Sequence, residues 1–283
     1  MRWNPMGRSG NLEDQRGGSG ARGPNLGGLG LGGVVIVVVI ALLTKQNPLA
    51  LLGALDQQGS AATAPGTAIT DPAEEKTVEF VSFVLDDAQA MWAAKFAAAG
   101  KPWRDAKLVL FRDQVESACG YAQAASGPFY CPGDEKVYID LGFYHELESR
   151  FGAPGDFAEA YVLAHEIGHH VQRLLGTEAE VRSAQQRDPS GANALSVGLE
   201  LQADCLAGVW GHSATAAGRL EAGDVDEGLQ AAAAVGDDRL QRASSGSVHP
   251  ESWTHGSSAQ RVTWFRRGLA AGEASACDSF GAR

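Results

Sequence analysis

Apolar positions along this chain change their spacing several times, and each change marks an element. From Glu74 to Ala99, Val78, Val81, Val84 or Leu85, Ala88, Met91 or Trp92 and Phe96 share one broad face, which predicts a helix that Gly100-Lys101-Pro102 ends. Lys107–Phe111 and Lys136–Leu141 read as strands, with Phe129-Tyr130-Cys131 paired to the second across a Pro132-Gly133-Asp134 turn. After Gly152-Ala153-Pro154-Gly155, Asp156 with Glu159 three residues on predicts a capped helix start, and Gly176 a stop after Leu175. Another helix starts near Asp188-Pro189 or Asn193 and passes through Trp210. Helices then dominate to the end, apart from a polar Ser244–Ser258 loop. The pattern predicts an α+β body, mainly helical, with a small antiparallel sheet.

One stretch has no polar face at all. Leu26 to Leu43 is 18 residues without a charge, just long enough for a short transmembrane helix. A cleaved signal peptide would place its apolar run nearer the start and follow it with a small-residue cleavage site. Here 25 polar, Gly-rich residues come first, and Thr44-Lys45-Gln46-Asn47-Pro48 follows. The expected organisation is a head (1–25), a transmembrane helix (26–44), a linker (45–73) rich in Ala, Thr, Gly and Pro, and a body (74–283). Arginines before the apolar run predict a single-pass protein of the cell membrane. Its N-terminus would be cytoplasmic and its body periplasmic or extracellular.

Charge sharpens this division. The chain of 283 residues has a net charge of −11. Arg2, Arg8, Arg16 and Arg22 against Glu13 and Asp14 leave residues 1–44 at +2, so the remainder carries −13. That balance excludes a dedicated nucleic-acid binder, which needs a basic footprint. All four cysteines lie in the body. An even number in an oxidising compartment predicts two disulfides, and the expected pairs are Cys119–Cys131 and Cys205–Cys277. No Cys-x-x-Cys pair supports a structural zinc site instead.

The chemistry sits in the helix after Gly155. His165-Glu166-Ile167-Gly168-His169 places two imidazoles four residues apart on one helix face, within reach of a single cation. Glu166 is rotated by about 100° from His165, beside the position such a cation leaves open for water. A third ligand is needed. Gln172 and Leu175 stand where a metzincin would have Gly and His, so that pattern is excluded. Glu200-Leu201-Gln202-Ala203-Asp204 offers the alternative. Glu200 can coordinate while Asp204, four residues on, accepts the outer N–H of a ligand histidine. The flanking Leu195, Val197, Leu199, Leu201, Leu206, Val209 and Trp210 are too apolar for unpaired carboxylates.

These residues resemble the gluzincin metallopeptidases. The whole chain is similar to the bacterial neutral zinc metallopeptidase family, through Met1-Arg2-Trp3, Asn11-Leu12-Glu13-Asp14, SACGYA (117–122), GPFYCPGDEKVYIDL (127–141), the helix at 150–172, ELQADCLAGVW (200–210), VGDDRLQ (235–241) and THGSSAQRVTWF (254–265). The resemblance implies one N-terminal membrane helix and a zincin-like body that binds Zn2+ and hydrolyses peptides or proteins.

The expected ligands are His165, His169 and Glu200, with Glu166 as general base. His255 is the candidate oxyanion donor, with Tyr138 and Tyr144 as alternatives that the spacing does not separate. The Lys136–Leu141 strand is expected to offer its edge to an extended substrate. The rival reading is a membrane-tethered zinc-binding module without turnover. Nothing in the sequence sets the oligomeric state.

Overall fold

The computed structural model describes residues 1–17, 72–124 and 127–281. Strand β1 (Leu12–Asp14) precedes the long helix α1 (Pro72–Ala98), which starts two residues before the expected body. Strands β2 (Lys107–Phe111), β3 (Gln114–Ser117), β4 (Gly120–Gln123), β5 (Phe129–Cys131) and β6 (Lys136–Asp140) follow. The rest is helical: α2 (Gly142–Ser149), α3 (Asp156–Leu175), α4 (Thr177–Arg187), α5 (Ala192–Ala216), α6 (Asp224–Ala234), α7 (Asp237–Ser245) and α8 (Ser258–Ala271).

The main sheet has the order β1-β2-β6-β5. Its β5–β6 pair is antiparallel, as the Pro-Gly-Asp turn predicts, but β1–β2 and β2–β6 are parallel. The expected antiparallel sheet is therefore corrected to a mixed one, beside an antiparallel β3–β4 hairpin. Hairpin turns are local signals, whereas parallel neighbours meet through long connections that no short window records.

Alternation along β2 explains the two-sided core. Leu108 and Leu110 join Val81, Leu85, Trp92 and Phe96 of α1 and Phe157, Leu163 and Ile167 of α3. Val109 and Phe111 face the other way, onto Val115, Cys131 and Tyr138. Both predicted disulfides are present, Cys119–Cys131 and Cys205–Cys277. The second ties α5 to the C-terminal segment.

The N-terminal residues overturn one expectation. Leu12, Glu13 and Asp14 pair with Leu108, Val109 and Leu110, and Arg8 reaches Glu75 at 2.6 Å. Among the described residues, Met1–Gln15 belongs to the same compact unit as the body. A cytoplasmic head at 1–25 separated by a bilayer from the body is incompatible with that pairing, because hydrogen-bonded strands share one side. The composition break at residue 22 marks the start of the apolar run and carries no information about the fold of residues 1–15. The expected transmembrane helix at 26–44 lies outside the described residues, as does the linker up to Asp71. Among the described residues, no helix is long and apolar enough to cross a membrane.

Two details of the helices also differ. The N-cap of α3 is Gly155, and Asp156 is its first helical residue. The Asp156 carboxylate contacts the Met1 ammonium at 2.8 Å, while Glu227 of α6 accepts the Phe157 N–H at 3.2 Å and caps the helix from outside. Helix α4 was not expected, since Val181 is its one buried residue and leaves no apolar period to read.

Candidate metal centre

Helices α3 and α5 carry the site, and a glycine sets their distance. A Cβ on Gly168 would lie 2.9 Å from the Ala203 carbonyl oxygen, so the helices meet this closely only because residue 168 has none. That approach brings Glu200 between the two imidazoles. Its Oε2 lies 3.2 Å from His165 Nε2 and its Oε1 3.5 Å from His169 Nε2.

The opposite nitrogens are fixed by other groups. His165 Nδ1 donates to Asp204 Oδ1 at 2.8 Å, and His169 Nδ1 donates to Gln172 Oε1 at 2.8 Å. Gln172 cannot be flipped, because its amide nitrogen is committed to the Leu199 carbonyl at 2.7 Å and to Gln202 Oε1 at 3.1 Å. Both Nε2 lone pairs therefore converge with the Glu200 carboxylate. The three residues place one ligand atom each within 4.8 Å of one another. Two imidazoles and a carboxylate form a donor set that fits zinc with an open coordination position.

Asp204 is the hub behind the site. It is fully buried and accepts from His165, from Tyr161 Oη at 2.5 Å, and from Arg261 Nε at 2.8 Å and Nη2 at 2.9 Å. Arg261 reaches it because α8 packs backbone-to-backbone on α5; a Cβ on Gly268 would fall 1.8 Å from the Cys205 carbonyl oxygen. Burial opposes the charge on Asp204, but Arg261 and His165 hold its pKa below the usual aspartate range. Burial likewise opposes a proton on His165, yet Asp204 and Glu200 raise its pKa to about 10, and Glu200 raises that of His169. Burial would raise Glu200, but the imidazoles hold it well below the usual carboxylate range. A divalent cation at the Nε2 atoms would displace protons, so its affinity must weaken in acid.

The expected residues fare differently. Glu166 is buried and lines the cleft with the histidines and Glu200, and it makes no hydrogen bond or ion pair to another described residue. His255 reaches the same cleft of about 1070 Å³. Asp237 holds it there, accepting the backbone N–H groups of Thr254, His255 and Gly256 at 2.8, 2.7 and 3.0 Å and lying 3.2 Å from His255 Nδ1. Tyr138 does not line the cleft, since its hydroxyl donates to Asp134 at 2.7 Å on the hairpin face of the sheet. Tyr144 is buried in the main core, also off the cleft wall. Neither tyrosine is placed to meet a bound carbonyl. The strand expected to offer its edge, β6, lies inside the sheet between β2 and β5. Among the described residues, the unpaired sheet edge beside the site is that of β5, whose Phe129 and Tyr130 line the cleft.

Sequence reasoning did not find Arg261, Tyr161, Gln172 or Asp237. Gln172 was within reach, since its spacing of three from His169 puts both on one helix face. Tyr161 stands likewise four before His165. Arg261 is 57 residues from Asp204, and only the α5–α8 crossing joins them.

Two helices thus carry two histidines and a glutamate around one point on the wall of a cleft, a donor set of the kind that holds a zinc ion. The chain belongs to the family described as "Putative neutral zinc metallopeptidase", which matches residues 1–280. It is 45% identical over 288 residues to the "Uncharacterized protein YpfJ" of Escherichia coli (strain K12), covering 99% of both chains. It is also 46% identical over 184 residues to the "Uncharacterized protein Rv2575" of Mycobacterium tuberculosis (strain ATCC 25618 / H37Rv), covering 61% of each. No solved structure matches the chain significantly.

Proposed function

We propose that this protein is a zinc-dependent peptidase in which Glu166 is the general base. The observation that carries the reading is the Glu166 carboxylate, which opens onto the cleft beside the converging His165, His169 and Glu200 and has no hydrogen-bond or ion-pair partner among the described residues. A carboxylate so placed is free to take a proton from water in the cleft, and a site used only to hold metal needs no such group.

His165, His169 and Glu200 would hold the zinc, and Asp204 and Gln172 fix the two histidine tautomers. Bound zinc supplies Lewis acidity, which polarises a carbonyl and makes water acidic near neutral pH. Glu166 accepts the proton of the attacking water and returns it to the leaving amine. His255, turned by Asp237, is the donor to the developing oxyanion; because its Nδ1 donates to Asp237, its Nε2 donates in the imidazolium form. The β5 edge receives the substrate backbone in extended form, as added strands do elsewhere. Polypeptide substrates fit this arrangement because an edge strand recognises backbone amides irrespective of side chain.

Membrane association through the apolar run at 26–43 remains part of the proposal, with residues 1–15 and the body on the same side. The disulfides favour an oxidising compartment for that side. Proteolysis of sealed vesicles should then cut or spare both parts together.

The test of activity is direct. The zinc-loaded full chain is incubated with a mixed peptide library, and the products are read by mass spectrometry. Cleavage that a chelator abolishes and zinc restores supports the reading, whereas tight zinc with no cleavage of any peptide returns the zinc-binding module.

A further inference from the structure

The histidine that follows the second candidate ligand takes no part in the metal centre. His170 is fully buried and turned about 100° around α3 from His169, away from the candidate metal centre. Its Nε2 lies 2.6 Å from the Arg104 carbonyl, which can only accept, so Nε2 carries the hydrogen. Its Nδ1 is therefore an acceptor, and the Tyr130 hydroxyl donates to it at 3.0 Å. The Trp103 ring stands edge-on to the imidazole at 5.2 Å and closes its other side.

Tyr130 is the central residue of β5, the strand with the open edge. Its neighbours turn to the opposite face, where Phe129 stacks on Tyr138 at 4.8 Å and Cys131 is bonded to Cys119. Contacts on that face hold β5 to the hairpin and to β6, but they do not set its distance from α3. The Tyr130–His170 bond runs from β5 to α3, and it arises one residue from a candidate metal ligand.

We propose that His170 and Tyr130 form a strap that sets the spacing between the β5 edge and the metal-binding face of α3. This makes His170 a positioning residue for the substrate backbone. The inference rests on the peptidase reading for its substrate role, while the strap itself is a property of the fold. One rigid helical turn then carries both references a peptide bond needs, His169 toward the metal and His170 toward the strand on which the peptide lies. Slack between those two references weakens the hold on the peptide backbone equally in the ground state and the transition state.

The test uses the full zinc-loaded chain with Tyr130→Phe, His170→Phe and the double variant. It measures amide hydrogen exchange, zinc affinity, and kcat and KM on a quenched fluorescent peptide that the wild type cleaves. Tyr130→Phe should speed exchange in residues 129–131 and leave exchange in α3 and zinc affinity unchanged. Its KM should rise about three- to tenfold, the worth of one hydrogen bond, with kcat nearly constant. The double variant should add little to either single one.

Unchanged exchange in 129–131 would overturn the strap. Faster exchange with an unchanged KM would overturn its substrate role, as would an equal fall in kcat and zinc affinity, which marks general structural damage. Should His170→Phe fail to fold, Tyr130→Phe still decides both points. A wild type that cleaves no peptide defeats the peptidase reading and the substrate role with it, and the exchange measurement then decides whether the strap exists.

Discussion

Arg261 grips Asp204 with two nitrogens, Nε at 2.8 Å and Nη2 at 2.9 Å, in a pair withdrawn from solvent. The grip keeps Asp204 ionised and turns Oδ1 toward His165 Nδ1, so an arginine on α8 sets the tautomer of a histidine on α3. Removing one partner of a buried pair leaves an uncompensated charge. Arg261→Met should therefore cost about 3–5 kcal/mol of stability, measured by urea unfolding of the zinc-loaded chain. A loss below about 1 kcal/mol, the range of an exposed pair, would show that the pair is not structural.

Glu200 and Asp204 share a helix face, yet only Glu200 sits between both Nε2 atoms. Glu200→Ala should nearly abolish zinc retention, while Asp204→Asn should weaken affinity about 10–100-fold. Chelator competition measures both. Tight zinc in Glu200→Ala together with a metal-free Asp204→Asn would reverse the two roles.

How far the sequence could be read is clear from these same residues. His165, Glu166, His169, Glu200 and Asp204 fall within two helices, where a spacing of four reports a shared face whatever the tertiary fold. Both disulfides were legible because four cysteines in one compartment leave few choices. Arg261 and Asp237 act across tens of residues, through helix crossings that no local period encodes. The docking of residues 1–15 was hidden for a related reason. Leu12-Glu13-Asp14 is too short to read as a strand, and its partner Leu108 lies beyond the whole apolar run. The edge was misassigned to β6 because a strand's place in a sheet is a tertiary property, and its composition is silent on it.

The Cys205–Cys277 bridge closes a loop of 72 residues from the helix that bears Glu200 and Asp204. In the chain-entropy model such a loop contributes about 4 kcal/mol, against about 3 for Cys119–Cys131. Full reduction should lower stability markedly, and the Cys205→Ala/Cys277→Ala pair should account for the larger share. Differential scanning calorimetry of both double variants checks this. A larger loss in the Cys119/Cys131 pair would contradict it.

Glu159, in the first turn of α3, gives a pH signature separate from the metal. Burial, with Asp156 and Glu148 nearby, raises its pKa from 4.5 to about 7. The folded state therefore holds this proton more tightly than the unfolded state does. Its contribution is full below pH 4.5 and is lost as pH rises through 7. Glu159→Gln removes that loss, so its advantage over wild type in urea midpoint should grow from pH 5 to pH 8. Parallel curves for the two proteins would refute the assignment. Comparing them at each pH cancels the separate effect of acid on zinc.

The central claim is that Glu166 does the proton transfer and takes no part in holding the metal. The measurement is zinc affinity by chelator competition and peptide turnover on the same preparation of Glu166→Gln. The variant should bind zinc like wild type, because His165, His169 and Glu200 are untouched, and should lose about 10²–10⁴-fold in kcat. Wild-type turnover with zinc bound would contradict the account.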